Sequence, residues 1–243
     1  MRVDLRLNME KAALITGSSR GIGKGIAQIF AREGFNVAVN YLASEDLAQE
    51  VCDQLISRYG VLAVPIQGDV SREEECQRVI DQTTQAFGNL QVLVNNAARY
   101  TKNPTESERA ANAMLKLNSV EYLSNLALDA GVKSIVNISS LFVANSSQSP
   151  FATAYQAGVE SLTRHFARQY LGRVKVNAVR PGYTDTSMLR DNFSSEEIEK
   201  VLRTVPDGKL IKPTDVGEIV YFLATNPLLT GQIITADKGV TLF

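Results

Sequence analysis

Three glycines set at Gly17-x-x-x-Gly21-x-Gly23, inside Thr16-Gly17-Ser18-Ser19-Arg20-Gly21-Ile22-Gly23, are the residues in this chain best suited to hold a phosphate. They stand between an apolar strand run and a helical pattern, the context that a nucleotide-binding loop requires. Glycine lets the backbone turn tightly and approach a pyrophosphate with no Cβ in the way. The helix that follows offers unpaired N–H groups and the positive end of its dipole. Gly17, Ser19, Arg20, Gly21, Ile22 and Gly23 are therefore expected to touch a dinucleotide. The plain alternative is a tight turn that binds nothing; three glycines in register with Thr16 and Arg20 argue against it.

The end of the second strand decides which dinucleotide. An NAD(H) site places an Asp or Glu there to hold the adenosine ribose hydroxyls. This chain reads Asn40-Tyr41 instead, so no carboxylate would repel a 2′-phosphate. Ser19 and Arg20 can add a hydroxyl and a cation for it. NADP(H) is favoured over NAD(H), with a solvated loop charge as the simpler reading of Arg20.

Positioning these groups falls to short apolar runs that alternate with helical patterns. Strands are expected at 12–16, 36–40, 62–66, 90–94, 134–138, 174–179 and 232–235. Helices are expected over 23–32, 44–59 with Ser44 as N-cap, 71–87 opened by a capping box at Ser71-Arg72-Glu73-Glu74, 106–129 and 151–170. A loop and helix to about Arg203 and a helix from near Thr214 complete the pattern. Strands that are apolar throughout and separated by helices mean a parallel sheet covered on both faces. The fold class is α/β: a doubly wound, Rossmann-type parallel sheet in one domain over residues 1–243. Ligands of such sheets bind beyond the carboxyl ends of the strands, at the point where strand order reverses.

Bulk properties exclude several classes. A net charge of -1 leaves no basic footprint for nucleic acid or an anionic membrane surface. No apolar stretch approaches the ~18 residues of a membrane span. Met1 to Lys11 reads as a short leader into the first strand. Cys52 and Cys76 fit no metal-ligand spacing and suit a reducing cytosol. A cytoplasmic protein with a small-molecule substrate is expected, with no metal.

Together these motifs resemble the short-chain dehydrogenase/reductase family over essentially the whole chain. Thr16 to Gly23 is similar to its cofactor signature. Asp69-Val70 resembles the pair that holds the adenine, and Asn95-Asn96-Ala97-Ala98 the family's Asn-Asn-Ala-Gly closing the fourth strand. Ser139 falls where the family has its substrate-orienting Ser. Asn177 to Gly182 followed by Thr186 resembles the segment over the nicotinamide, with Pro181, Gly182 and Thr186 at the cofactor. The resemblance implies a dimer or tetramer.

The family's catalytic Tyr-x-x-x-Lys is where the likeness breaks. The stretch Ala157 to Thr163 and the spacing from Ser139 both put Ala152 at the Tyr position and Gln156 at the Lys position. A shift does not rescue Tyr155, because Val159 stands four residues on. Lys116 occupies the family's Asn position, with Asn118 as a substitute if the helix register slips. Ala152 has no ionisable group and Gln156 no cation, so a reduction would lose the ~10²–10⁴-fold that a positioned proton donor supplies. Lys116 is expected to restore the positive charge and to polarise a substrate oxygen or meet the cofactor ribose. Its alternatives are solvent or pairing with Glu121 or Asp129.

Tyr155, one turn from Ala152, is either a displaced acid or a helix-packing residue. Ser139 either orients a substrate oxygen or closes a strand-end turn. Tyr100 and Tyr183 are expected at the pocket, His165 in packing, and 190–203 as a substrate lid or a surface helix. Three functions follow. The first is an NADP(H)-binding protein with a degenerate tetrad that runs a cyclisation, isomerisation, dehydration or assisted reduction in a biosynthetic pathway. The second is a non-catalytic subunit of a hetero-oligomer with an active homologue, in place of a homodimer or homotetramer. The third is a 3-oxoacyl-type carbonyl reductase with a displaced proton donor.

Overall fold

The computed structural model describes residues 11–145 and 150–242, except the side chain of Asn145. The leader read over Met1 to Lys11, Lys11 apart, and the end of the loop through Ser147 lie outside these residues. Seven strands form one sheet in the order β3-β2-β1-β4-β5-β6-β7, and every pairing is parallel. They are β1 (Ala12–Ile15), β2 (Asn36–Tyr41), β3 (Ala63–Gln67), β4 (Val92–Asn95), β5 (Ser134–Ile138), β6 (Lys175–Pro181) and β7 (Ile233–Ala236). The helices are α1 (Gly21–Arg32), α2 (Glu45–Tyr59), α3 (Glu73–Phe87), α4 (Glu106–Asp129), α5 (Phe142–Asn145), α6 (Pro150–Gln169), α7 (Ser187–Asn192), α8 (Ser195–Thr204) and α9 (Pro213–Thr225).

Burial on both faces explains the mostly apolar central strands. β1 is wholly inaccessible, and alternate residues serve opposite cores. Ala13 and Ile15 pack with Phe30, Val51 and Val220 under α1, α2 and α9. Ala12 and Leu14 pack with Val79, Phe87 and Leu123 under α3 and α4. Burying the leucine, isoleucine, valine and phenylalanine side chains among these is worth about 1.5–3 kcal/mol each.

Helix α1 is held close to α9 by two glycines. A Cβ at Gly25 would lie 2.3 Å from the Pro213 carbonyl carbon, and one at Gly217 would lie 2.7 Å from Ile29 Cγ1. This contact fixes the axis of α1, and so the place of its N-terminus at the carboxyl edge of β1. The sheet order reverses between β1 and β4, which opens the crevice that the strand pattern predicts.

Two helix starts differ from expectation for one physical reason. Ser44 stands at the N-cap of α2, yet its hydroxyl makes no capping bond and instead accepts from Arg20 Nη2 at 2.7 Å. Ser71 does not open a capping box; its hydroxyl donates to Asp69 Oδ1 at 2.7 Å, and α3 begins after an extended Arg72. In each case the hydroxyl is engaged by a charged side chain, Arg20 across the fold and Asp69 two residues back, in place of the helix N–H. Helix α5 and a 3₁₀ turn at Val240–Leu242 are additions to the expected elements. Among the described residues no helix is long and apolar enough to cross a membrane, and no group of three His, Cys, Asp or Glu side chains could hold a metal.

Candidate functional site

A continuous cleft of about 660 Å³ runs along the carboxyl edge of the strands, from Arg20 and Ser44 past the glycine loop to Ser139, Ala152 and Tyr155. The loop is built from its own backbone demands. Gly17 and Gly21 have φ of 62° and 55°, the left-handed region that glycine enters without strain. A Cβ at Gly23 would lie 2.4 Å from the Gly17 carbonyl oxygen, so the third glycine lets α1 close on the loop. Gly23 does not itself line the cleft, whereas Gly17, Ser19, Arg20, Gly21 and Ile22 do. Helix α1 has no side-chain cap and no acidic residue in its first turn. Its N–H groups are thus left for an anion.

Behind the loop, Thr16 Oγ1 accepts from the backbone N–H of Asn96 and Ala97, both at 2.9 Å, and donates to Val94 O. Asn96 Nδ2 donates to Thr16 O at 2.8 Å and Gly17 O at 3.2 Å. Asn96, rather than Asn95, therefore ties β4 to the glycine loop. Asn95 was expected at the cofactor; it is 1 % exposed, absent from the cleft lining, and donates to Asn137 Oδ1 at 2.9 Å. Asn137 in turn donates to Thr163 at 2.9 Å, so this polar ladder pins β4, β5 and α6.

At the opposite end, Asn40 lines the cleft but acts as a strut. Its Oδ1 accepts from Gly17 N at 3.2 Å, and its Nδ2 donates to Ile66 O and Gly68 O. The polar groups offered beyond β2 are the Arg20 guanidinium and the Ser44 hydroxyl, and residues 40–44 contribute no carboxylate to the lining. Asp69 and Val70 lie in the wall between, with Asp69 held by Ser71.

The far end gathers Lys116, Ser139, Ala152, Tyr155 and Gln156 around one space, with Pro181, Gly182 and Thr186 closing it from β6 and the α7 start. Lys116 faces neither solvent nor Glu121 or Asp129. It is 2 % exposed, and its Nζ donates to Asn96 O at 3.3 Å and Ala97 O at 3.2 Å. Burial pulls its ammonium down from the ordinary lysine range to about 7. Tyr155 moves the other way: burial, then the neighbouring Tyr100, pushes its phenol above the usual value.

Ser139 Oγ donates to Glu160 Oε1 at 2.9 Å. Glu160, 3 % exposed, is gripped by Arg180 through two bonds of 2.6 Å. The Ser139 hydrogen is thus engaged by a carboxylate, which leaves the oxygen's lone pairs to accept. Gln156 Oε1 is buried without a partner. Thr186 caps α7, accepting from Leu189 N.

Residues 190–203, expected as a lid or a surface helix, form the end of α7 and most of α8. Lys102 fastens this segment to the β4–α4 loop through a 2.6 Å bond to Glu197 and an N–H to Asn192 Oδ1. That bond and the Ser194 cap hold the Glu197 carboxyl down at about 2. His165 packs edge-on against Phe166 on α6. Ser44, Asn96, the Glu160–Arg180 pair and Lys102 carry no local signal in the sequence, since each acts on a partner far along the chain.

The protein-family model described as "Enoyl-(Acyl carrier protein) reductase" matches residues 17–241. Among curated proteins the chain is 35% identical to the 3-oxoacyl-[acyl-carrier-protein] reductase FabG of Staphylococcus aureus, with 96% of this chain and 99% of that protein covered. It is 35% identical to the hydroxynaphthalene reductase-like protein Arp2 of Metarhizium majus, with 94% of each covered. A short-chain dehydrogenase of Burkholderia cenocepacia, solved in complex with NADP, superposes with a TM-score of 0.86 at 28% identity, over 95% of this chain and 97% of that one.

Proposed function

The chain belongs to the short-chain dehydrogenase/reductase family, and we propose that it binds NADP(H) and moves a proton at a substrate oxygen through Lys116. The cleft fits this cofactor. The uncapped N-terminus of α1 suits a pyrophosphate, and the Arg20–Ser44 pair suits a 2′-phosphate where no carboxylate opposes it. Pro181, Gly182 and Thr186 would cover the nicotinamide. When bound, NADPH supplies a hydride; the residues below supply the rest.

The carrying observation is the seat of Lys116. An ammonium has three N–H bonds, and two of them are spent on Asn96 O and Ala97 O. The third is left for the cleft. When it passes to a substrate oxygen, an N–H bond breaks and an O–H bond forms. The neutral amine that remains still has two N–H bonds for the same two carbonyls. A group that titrates near 7 is well matched to this task at neutral pH.

The other candidates are weaker donors. Ala152 carries no proton, Gln156 carries no charge, and the Ser139 hydrogen is committed to Glu160. The Tyr155 phenol is a poorer acid here than in water, which counts against a displaced-tyrosine 3-oxoacyl reductase. Proton transfer at an oxygen serves an assisted carbonyl reduction as well as an isomerisation, a dehydration or a cyclisation; NADPH consumption separates the first from the rest.

The test compares wild type, Lys116→Met and Tyr155→Phe. NADPH binding is followed by nicotinamide fluorescence, and single turnovers are followed at 340 nm against 2-tetralone and an acetoacetyl thioester. Lys116→Met is expected to lose about 10²-fold or more in rate while NADPH affinity changes a few-fold. Unchanged turnover in that variant, or a loss confined to Tyr155→Phe, would overturn the assignment.

A further inference from the structure

Among the described residues, five aromatic side chains crowd the reaction end of the cleft: Tyr100, Phe142, Tyr155, Tyr183 and Phe193. They come from five separate segments, so no local repeat or helix face accounts for the clustering. Tyr100 and Phe193 stack with centroids 6.0 Å apart and planes 15° from parallel. Phe142 and Tyr183 meet edge to face at 6.4 Å. Thr153 of α6 donates to Phe142 O at 3.4 Å, and all five rings line the same cleft as Ser139 and Ala152, so the two pairs and Tyr155 form one neighbourhood. The polar anchor beside them is the remaining N–H of Lys116.

Such a lining distinguishes between substrates. A flexible acyl chain is served by any apolar wall, and gains little from rings. A flat ring system gains face and edge contacts that aliphatic walls do not supply. We propose that the cleft takes a planar aromatic substrate, of the bicyclic phenol or aryl-ketone class, with its ring among Tyr100, Phe142, Tyr183 and Phe193 and its oxygen toward Lys116. This rests on the cofactor-cleft reading above, and names its substrate class.

The experiment titrates 2-naphthol into the whole protein, with and without saturating NADP⁺, following naphthol fluorescence. An acetoacetyl thioester is the competitor, and NADPH binding is measured separately. Saturable naphthol binding, weakened about 3- to 10-fold in Tyr183→Leu and in Phe193→Leu and poorly displaced by the thioester, is the expected result. Absence of saturable binding in both conditions would overturn the proposal, as would affinities untouched by either substitution. Ready displacement of naphthol by the thioester would overturn it too, from wild type alone if a variant failed to fold. Loss of NADPH binding would instead remove the cofactor reading; the naphthol titration without NADP⁺ would still decide the aromatic site.

Discussion

Replacing Lys116 with Met asks what the buried ammonium costs the fold, without needing to know the substrate. The group titrates near 7 in the folded protein against 10.5 for an ordinary lysine, with burial as the cause. Between those two pH values the unfolded chain binds one more proton than the folded one. Stability must therefore rise with pH across that window, at up to about 1.4 kcal/mol per pH unit. Below pH 7 both states carry the charge and the full burial cost stands, about 5 kcal/mol by the same arithmetic. Methionine fills similar volume, removes that cost, and forfeits the two carbonyl bonds, worth about 1 kcal/mol each. The variant should be about 3 kcal/mol more stable than wild type at pH 6, and the gap should close to near zero by pH 9. Urea unfolding followed by circular dichroism at pH 6, 7, 8 and 9 measures it. A gap that stays constant with pH, or a variant less stable at pH 6, would refute the claim that this amine is buried without a compensating anion.

Further outcomes follow from other parts of the cleft. Arg20→Ala should weaken NADPH binding by about 10- to 100-fold and leave NADH binding nearly unchanged, since a lost charge-assisted bond to phosphate is worth about 1.5–3 kcal/mol; fluorescence titration of both cofactors reads the difference. Glu160→Gln leaves Arg180 without its carboxylate and should cost about 3 kcal/mol in urea unfolding, because one half of a buried pair remains. Burial pushes the Cys52 and Cys76 thiols up to about 12, so neither should react with a thiol reagent at pH 8 until the protein is denatured.

The fold was legible because the strands advertise their burial. The runs at β1, β2, β4 and β5 are built around three or more apolar residues each, and the glycine loop marks the crossing from β1 to α1. What escaped were side chains whose roles depend on distant partners. Ser44 reads as a helix cap until the fold brings Arg20 within 2.7 Å of it. Asn95 and Asn96 are indistinguishable as a dipeptide; only strand alternation, fixed by the sheet, turns the first into the core and leaves the second at the loop. Lys116 was the hardest case. Its neighbours Leu115, Ser119 and Val120 are buried as well, yet α4 mixes polar and apolar residues on both faces. Its sequence therefore permitted solvent, a pairing with Glu121 or Asp129, or the cleft.

Lys116 is also placed to report on whatever fills the cleft. Its amine rests on the Ala97 carbonyl, and Ala97 is the residue that a Cβ on Gly17 would strike at 3.0 Å. One residue thus separates the amine from the phosphate loop. An anion seated at the N-terminus of α1 favours the charged form of a nearby amine and must raise its titration point above 7. At pH 7.5 the free protein holds Lys116 mostly neutral, so anion binding must draw a proton from solution. NADP⁺ affinity should therefore fall as pH rises from 7 to 9. Calorimetric binding enthalpies at pH 7.5 should differ between phosphate and Tris, which release protons at different enthalpic cost. In Lys116→Met both dependences should vanish. If wild type binds NADP⁺ with the same enthalpy in both buffers, the amine is not coupled to the loop. If Lys116→Met retains the buffer dependence, the proton belongs to another group.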